Sequence, residues 1–230
     1  MIRIFITVIV CLSACISTSF SQEVNVAPEI NNNYKSGNLD VAQWAERFTG
    51  ESREVYIARF EIIDVIDIQK GDRIADIGAG TGLYTQLFAN ATGPDGHVYS
   101  VDIAQQFLDF IDLNAEKDGL SNITTVLGED KTTNLSDASA DIVFLSDVYH
   151  HFEFPRTMVR DLARLLVPGG EMFIIDYQRI PGVTPQGRLD HVRAGKETVI
   201  EEIESSGFSM VEEVNLPSLS ENYMLHFQKN

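Results

Sequence analysis

The chain has 230 residues, 44% hydrophobic and 22% charged, which suits one soluble globular domain with a full core. Seventeen Lys and Arg stand against 34 Asp and Glu, and the resulting net charge of −17 repels phosphate backbones and anionic headgroups. Nucleic acid is therefore excluded as an expected partner, and the sequence carries no internal repeat.

Residues 1–21 read as a secretory signal segment: Arg3 in a basic start, an apolar run from Ile4 to about Ala14, then small residues. The apolar run is shorter than the roughly 20 residues that a membrane-spanning helix needs, so no transmembrane domain is expected after its removal. Ser19-Phe20-Ser21 has the small-x-small form of ordinary cleavage, whereas Leu12-Ser13-Ala14-Cys15 resembles a lipobox that would leave a lipid anchor on Cys15. Both readings predict an exported protein, either periplasmic or an envelope lipoprotein. The two cysteines, Cys11 and Cys15, lie inside this segment, so the mature chain has no thiol for disulfides or nucleophilic catalysis.

Residues 22–40 are polar, rich in Asn and without apolar period, and read as a linker. The domain is expected over 41–230. Trp44, Phe48, Val55, Ile62, Ile63 and Ile66 recur at helical spacing until Lys70-Gly71-Asp72 breaks the run. From there, continuous apolar runs alternate with helical segments: RIADIGA, then Leu83 to Ala91; HVYSVDI, then Gln105 to Lys117; ITTVLGE; DIVFLSDV, then Pro155 to Leu166; EMFIIDY, then Lys196 to Ser206. Strands without alternation are covered on both faces, as in a parallel α/β sheet. SMVEEVNL and NYMLHFQK close the chain as a hairpin.

In RIADIGAGTG the glycines fall at Gly78, Gly80 and Gly82, where a first strand ends and a helix begins, so the backbone can turn tightly and approach a ligand. A dinucleotide loop would read G-x-G-x-x-G and hold a pyrophosphate. Here Asp76 precedes the first glycine by two residues, and its charge would repel a pyrophosphate but attract an ammonium. Asp102 ends the next strand, placed to accept both hydroxyls of a ribose or to cap the helix that follows. Together the two acids ask for a ligand with a ribose, a cationic end and no phosphate.

With ADIGAGTG, VYSVDI, DIVFLSDVYHHF and LLVPGGEMFIIDY in order, the sequence resembles the class I S-adenosylmethionine-dependent methyltransferases from about Val41 to Lys229. The resemblance implies a Rossmann-like α/β fold: a seven-stranded, mostly parallel sheet with a terminal antiparallel hairpin. It implies S-adenosyl-L-methionine as cofactor, with Asp76, Gly78, Gly80 and Gly82 around the methionine portion, Asp102 on the ribose and Ile103 on the adenine. The family's acid for the adenine amine falls at Glu129 or Asp130, because Gly128-Glu129-Asp130 departs from the usual Gly-Asp-Ala. Arg53 and Tyr56, three apart on one predicted helical face, are expected to close over the cofactor.

The fourth strand ends FLSDVYHHF, where the fold faces the sulfonium. Asp147, Tyr149, His150 and His151 are the candidate catalytic or acceptor-orienting residues, a histidine being suited to act as base near neutral pH. Asp176 and Tyr177 end the fifth strand at the same rim. His191 and Arg193, in the polar loop that follows, are candidates for holding the acceptor or for solvating the start of the next helix. Adjacent histidines are a metal signal, but no further ligand accompanies them at i,i+4 spacing, so no metal is expected. The predicted acceptor is a small molecule; relatives that methylate arsenite rely on several cysteines, which the mature chain lacks. Two other readings are an exported adenosyl-ligand-binding protein without turnover and a nicotinamide-dependent oxidoreductase. The glycine spacing and the absence of a Tyr-x-x-x-Lys pair argue against the second.

Overall fold

The computed structural model describes residues 23–230. The expected signal segment, 1–21, and the proposed lipid anchor at Cys15 lie outside the described residues. Among the described residues no helix is long and apolar enough to cross a membrane.

Four short helices open the described chain: α1 (Asn32–Lys35), α2 (Val41–Phe48), α3 (Glu54–Ile57) and α4 (Arg59–Ile66). The α/β alternation then runs β1 (Arg73–Ile77), α5 (Leu83–Thr92), β2 (His97–Asp102), α6 (Gln105–Asp118), β3 (Ile123–Leu127) and β4 (Ala140–Ser146). A single 3₁₀ turn at Tyr149–His151 leads to α7 (Pro155–Leu165), β5 (Leu166–Tyr177), α8 (Gln186–His191), α9 (Lys196–Glu204), β6 (Phe208–Val214) and β7 (Asn222–Lys229). The strands form one seven-stranded sheet in the order β3-β2-β1-β4-β5-β7-β6. β1 to β5 pair in parallel, and β7 is antiparallel to both β5 and β6. This is the Rossmann-like fold expected from the sequence, terminal hairpin included.

The continuous hydrophobicity of the inner strands is explained by two cores, one per sheet face. Along β4, Val143 and Leu145 join Met158, Val159 and Leu162 of α7 and Ile203 of α9. Their neighbours Ile142 and Phe144 join Ile62 and Ile66 of α4 and Phe88 of α5. The same period of two separates Met172 and Ile174 from Phe173 and Ile175 along β5. Each such side chain taken wholly out of water contributes roughly 1.5–3 kcal/mol before the cost of chain entropy.

Strand order reverses between β1 and β4: the chain moves outward through β2 and β3, then returns to the other side of β1. At that switch point the loops after β1 and β4 diverge and leave a crevice at the carboxyl ends of the strands. The expected polar linker is not a tether in the structure. Residues 23–40 lie along the rim of the crevice, with the Val26 N–H donating to Glu153 O at 2.9 Å and Asn31 Nδ2 to His151 O at 3.0 Å. The segment docks through amide hydrogen bonds more than apolar burial, which is why its composition reads as a loop.

A candidate cofactor and acceptor site at the switch point

A cavity of about 460 Å³ occupies the crevice, a size suited to a small-molecule site. Its floor is the loop after β1. Gly78, Gly80 and Gly82 have φ of +69°, +54° and +84°, a region open to glycine at no steric cost. The loop is also tightly covered: a Cβ on Gly78 would lie 2.4 Å from Val148 Cγ2, and one on Gly80 3.0 Å from Phe48 Cε2. Gly82 does not line the cavity; a Cβ there would meet Ile111 at 2.8 Å, so this glycine serves packing against α6.

Two buried acids flank the floor. Asp76 lies on the α5 face of β1, where the Thr85 hydroxyl donates to its Oδ2 at 2.6 Å. Burial, with the charge of Asp102 adding to it, pushes the Asp76 carboxyl up to about 7. Asp102 accepts from the Gly80 N–H through Oδ2 and from the Ala104 N–H through Oδ1, each at 2.9 Å. Burial still raises it to about 6 against the pull of those donors. Asp102 does not cap α6, whose N-cap residue is Ala104. Each oxygen keeps a lone pair for a further donor, and neither acid has a basic side chain in ion-pair contact among the described residues.

Ile103, Glu129 and Asp130 line the adjoining wall. Asp130 is engaged by Lys35 of α1, leaving Glu129 as the acid without a side-chain partner among the described residues. Opposite them stands an aromatic wall that sequence reasoning missed. Tyr34, Trp44, Phe48 and Phe107 stack in tilted and edge-on pairs with ring centroids 5.2–6.3 Å apart. The helical spacing of Trp44 and Phe48 reads as a core face, yet both line the cavity from α2. Tyr34 had no periodic signal, since α1 is a single turn.

The other end of the cavity carries the residues after β4. Asp147 has φ +56°, an uncommon conformation that places its carboxylate in an ion pair with Arg53. Its Oδ1 accepts from Asn222 Nδ2 at 2.6 Å. Burial raises the Asp147 carboxyl, the Arg53 guanidinium opposes that, and Asp176 adds to it. Arg53 reaches the cavity, but Tyr56 does not: Arg53 is an extended residue preceding α3, so helical spacing does not relate the two. Tyr56 lies instead under the Arg59 guanidinium, 4.2 Å from its ring centre.

The 3₁₀ turn advances about a third of a revolution per residue, so Tyr149, His150 and His151 leave in different directions. Tyr149 is fully buried and donates to Glu202 Oε2 at 2.9 Å. Arg193 completes that cluster, its two terminal nitrogens on the two Glu202 oxygens at 3.0 and 2.7 Å. The expected catalytic roles of Tyr149 and Arg193 are thus corrected: neither lines the cavity, and both tie the turn after β4 to α9. His150 and His151 do line it, with His191 from α8. His150 Nδ1 pairs with Asp176 Oδ1 at 2.8 Å, and the Asp176 carboxylate outweighs burial to raise the imidazole. Burial, helped by His150 and His191, pushes His151 down to about 3.

The residues fit S-adenosylmethionine. Two buried acids lack a cation among the described residues, and Arg53 Nε is buried at the cavity wall without a hydrogen-bond partner, suited to a carboxylate.

Residues 75–174 match the family model described as a methyltransferase domain. The chain is 31% identical over 106 residues to an arsenite methyltransferase of Halobacterium salinarum, covering 46% of this chain and 27% of that protein. It is 27% identical over 126 residues to a demethylmenaquinone methyltransferase of Listeria welshimeri, covering 54% and 53% respectively. The matched region therefore spans about a quarter to a half of the length of these relatives. A methyltransferase from Aquifex aeolicus superposes with TM-score 0.73 at 19% identity over 84% of this chain and 100% of that one. The [4+2]-cyclase SpnF superposes with TM-score 0.66 at 14% identity over 76% and 82%, so fold alone does not fix the chemistry. Residues 75–174 are thus similar to a methyltransferase domain, and the glycine loop and Asp102 stand where the motifs of the class I S-adenosylmethionine-dependent methyltransferases place them, on a sheet of the same fold.

Proposed function

We propose that the chain transfers the S-methyl group of S-adenosylmethionine to a small-molecule acceptor. The observation that carries this reading is the pair of buried carboxylates, Asp76 and Asp102, beside the glycine loop with no basic side chain paired to either among the described residues. In an apolar crevice such a pair favours a ligand that brings both hydroxyl donors and positive charge.

Asp102 would hold the ribose hydroxyls, Ile103 the adenine face and Glu129 the adenine amine. Asp76 and the loop from Gly78 to Gly80 would hold the amino-acid end, with Arg53 supplying a donor to its carboxylate. The bound cofactor supplies an electrophilic methyl group on a sulfonium. The chain's part is to hold the two reactants in line and keep water out, which converts a bimolecular encounter into a local one. The aromatic wall of Tyr34, Trp44, Phe48 and Phe107 excludes water, and the acceptor enters at the histidine end. Asp147 is held by Arg53 and Asn222, so it positions that end and does not take the acceptor's proton. Export, read from residues 1–21, belongs to the same proposal and is checked by fractionating cells that make the full chain.

Calorimetric titration with S-adenosylmethionine and S-adenosylhomocysteine, repeated with Asp102→Ala, tests the pocket. Hydrogen bonds to a charged group are worth about 1.5–3 kcal/mol each, so loss of the carboxylate should weaken binding by roughly 100-fold or more. No binding by a folded wild-type chain sinks the assignment. Binding without transfer of labelled methyl to any fraction of a small-molecule extract would instead support an adenosyl-ligand-binding protein.

A further inference from the structure

His150, His151 and His191 come from two places in the chain about 40 residues apart, yet one ligating atom from each lies within 4.8 Å of the other two. Their ring centroids are 4.3, 5.0 and 5.1 Å apart. Three imidazoles are seldom brought together at a cavity wall for packing alone, since each carries a polar nitrogen that needs a partner. We propose that these three histidines bind a divalent transition-metal ion, zinc in the first instance, at the acceptor end of the cavity. The inference reverses the expectation of no metal, which rested on sequence spacing and could not register a third ligand delivered by α8.

The groups around the cluster fit that role. His150 is held through Nδ1 by Asp176, itself almost fully buried, and its Nε2 makes no hydrogen bond among the described residues. A carboxylate behind a histidine is the usual outer partner of a metal-binding imidazole, fixing its tautomer and raising its basicity. His151 is oriented by Asn31, whose Oδ1 lies 3.2 Å from its Nδ1. The cluster is also compact enough. Nitrogens on a tetrahedral zinc lie roughly 3.3 Å apart, from Zn–N bonds of about 2.0–2.1 Å, so closing on an ion asks for a shift of at most about 1.5 Å, which the exposed His191 can supply by a rotamer change.

Three protein ligands leave a fourth position, and since all three rings line the cavity that position opens into it. Resting on the methyltransferase reading, this names the acceptor class: a small molecule with a hydroxyl or thiol that coordinates the ion. Coordination favours its deprotonated form, the proton leaving to solvent. The oxygen or sulfur lone pair then forms the new bond to the methyl carbon, and the C–S bond electrons pass to sulfur, leaving S-adenosylhomocysteine.

The test uses the chain without a polyhistidine tag, equilibrated with zinc or cobalt(II) and freed of excess by gel filtration. One metal per chain is expected, with the visible absorption of cobalt in a nitrogen-rich, four-coordinate site. His191→Gln and His151→Gln should each weaken retention more than tenfold, and Asn31→Ala should weaken it less. His97→Gln, outside the cluster, should leave it unchanged. The many surface acids give a control against loose cation binding, because such binding would be indifferent to His191. No metal retained by a chain whose circular dichroism shows it folded, or retention equal in wild type and His191→Gln, overturns the proposal. Cofactor titration of the wild-type chain is a separate measurement: metal without cofactor would sink the methyltransferase reading alone, and cofactor without metal this one alone.

Discussion

The two halves of the cavity treat buried acids in opposite ways. At the β4 and β5 ends each carboxylate is neutralised from within the protein: Asp147 by Arg53, Asp176 by His150. At the β1 and β2 ends, Asp76 and Asp102 are as deeply placed and are met by hydroxyl and backbone donors but by no basic side chain among the described residues. The acids of the first half have their basic partners as folded. In the proposed function a ligand completes those of the second, and burial raises their carboxyls to about 7 and about 6.

The halves meet where Gly78 of the β1 loop touches Val148 of the β4 loop, and breaking that seam should have the largest effect. Gly78→Ala places a Cβ 2.4 Å from Val148 Cγ2 at φ +69°. Overpacking costs about 1–3 kcal/mol and the left-handed backbone about 1–2 more. A loss of roughly 3–4 kcal/mol in urea unfolding is expected. Val148→Ala in the same chain should recover the clash and leave the backbone part, a coupling that a double-mutant cycle reads directly.

Next in size is removal of the internal cation. Arg53→Met leaves Asp147 buried without its partner, and breaking such a pair costs about 3 kcal/mol or somewhat more. Arg53→Met with Asp147→Asn should recover most of it. If the single variant is as stable as wild type, the internally neutralised half is not what distinguishes the two.

The open half should reveal itself through pH. A ligand bringing positive charge and hydroxyl donors binds the ionised forms of Asp76 and Asp102, whose ligand-free values are about 7 and about 6. Binding therefore releases protons at neutral pH. S-adenosylmethionine affinity should fall as pH drops from 7.5 to 5.5, by up to about tenfold per pH unit below each group's value. For stability of the ligand-free chain the sign is reversed. Both acids hold a proton more tightly folded than unfolded, so their contribution is fully present below the ordinary carboxylate value and is lost as pH rises through about 6 and 7. Affinity flat across this range would mean that neither acid meets the ligand as a charge.

The features legible in the sequence were those written in consecutive residues. The strand runs, the glycine loop and Asp102 each occupy a few neighbouring positions whose physics is local: burial on both faces, positive φ, an acid at a strand end. What was missed depends on chain segments returning from a distance. Asn31 and Tyr34 reach the cavity because a polar segment docks on the rim, and His191 joins His150 and His151 only once α8 folds over. Arg193 turns back onto Glu202 of α9, another contact across the chain, and Tyr149 was misplaced for a third reason. Tandem residues after a strand read as if all face the site, yet a 3₁₀ turn distributes them around its axis.

That last point carries the smallest and most discriminating prediction. Tyr149 and His150 are neighbours in sequence, but Tyr149 donates to Glu202, which Arg193 already binds through both oxygens, whereas His150 faces the cavity. Tyr149→Phe removes one hydroxyl from a buried network whose carboxylate stays paired, so the loss should be about 1 kcal/mol in urea unfolding. Cofactor affinity and metal retention should not change, because no atom of the cavity wall is altered. A variant as stable as wild type but impaired in methyl transfer would return Tyr149 to the catalytic site, and would mean that the turn after β4 repacks when the ligands bind.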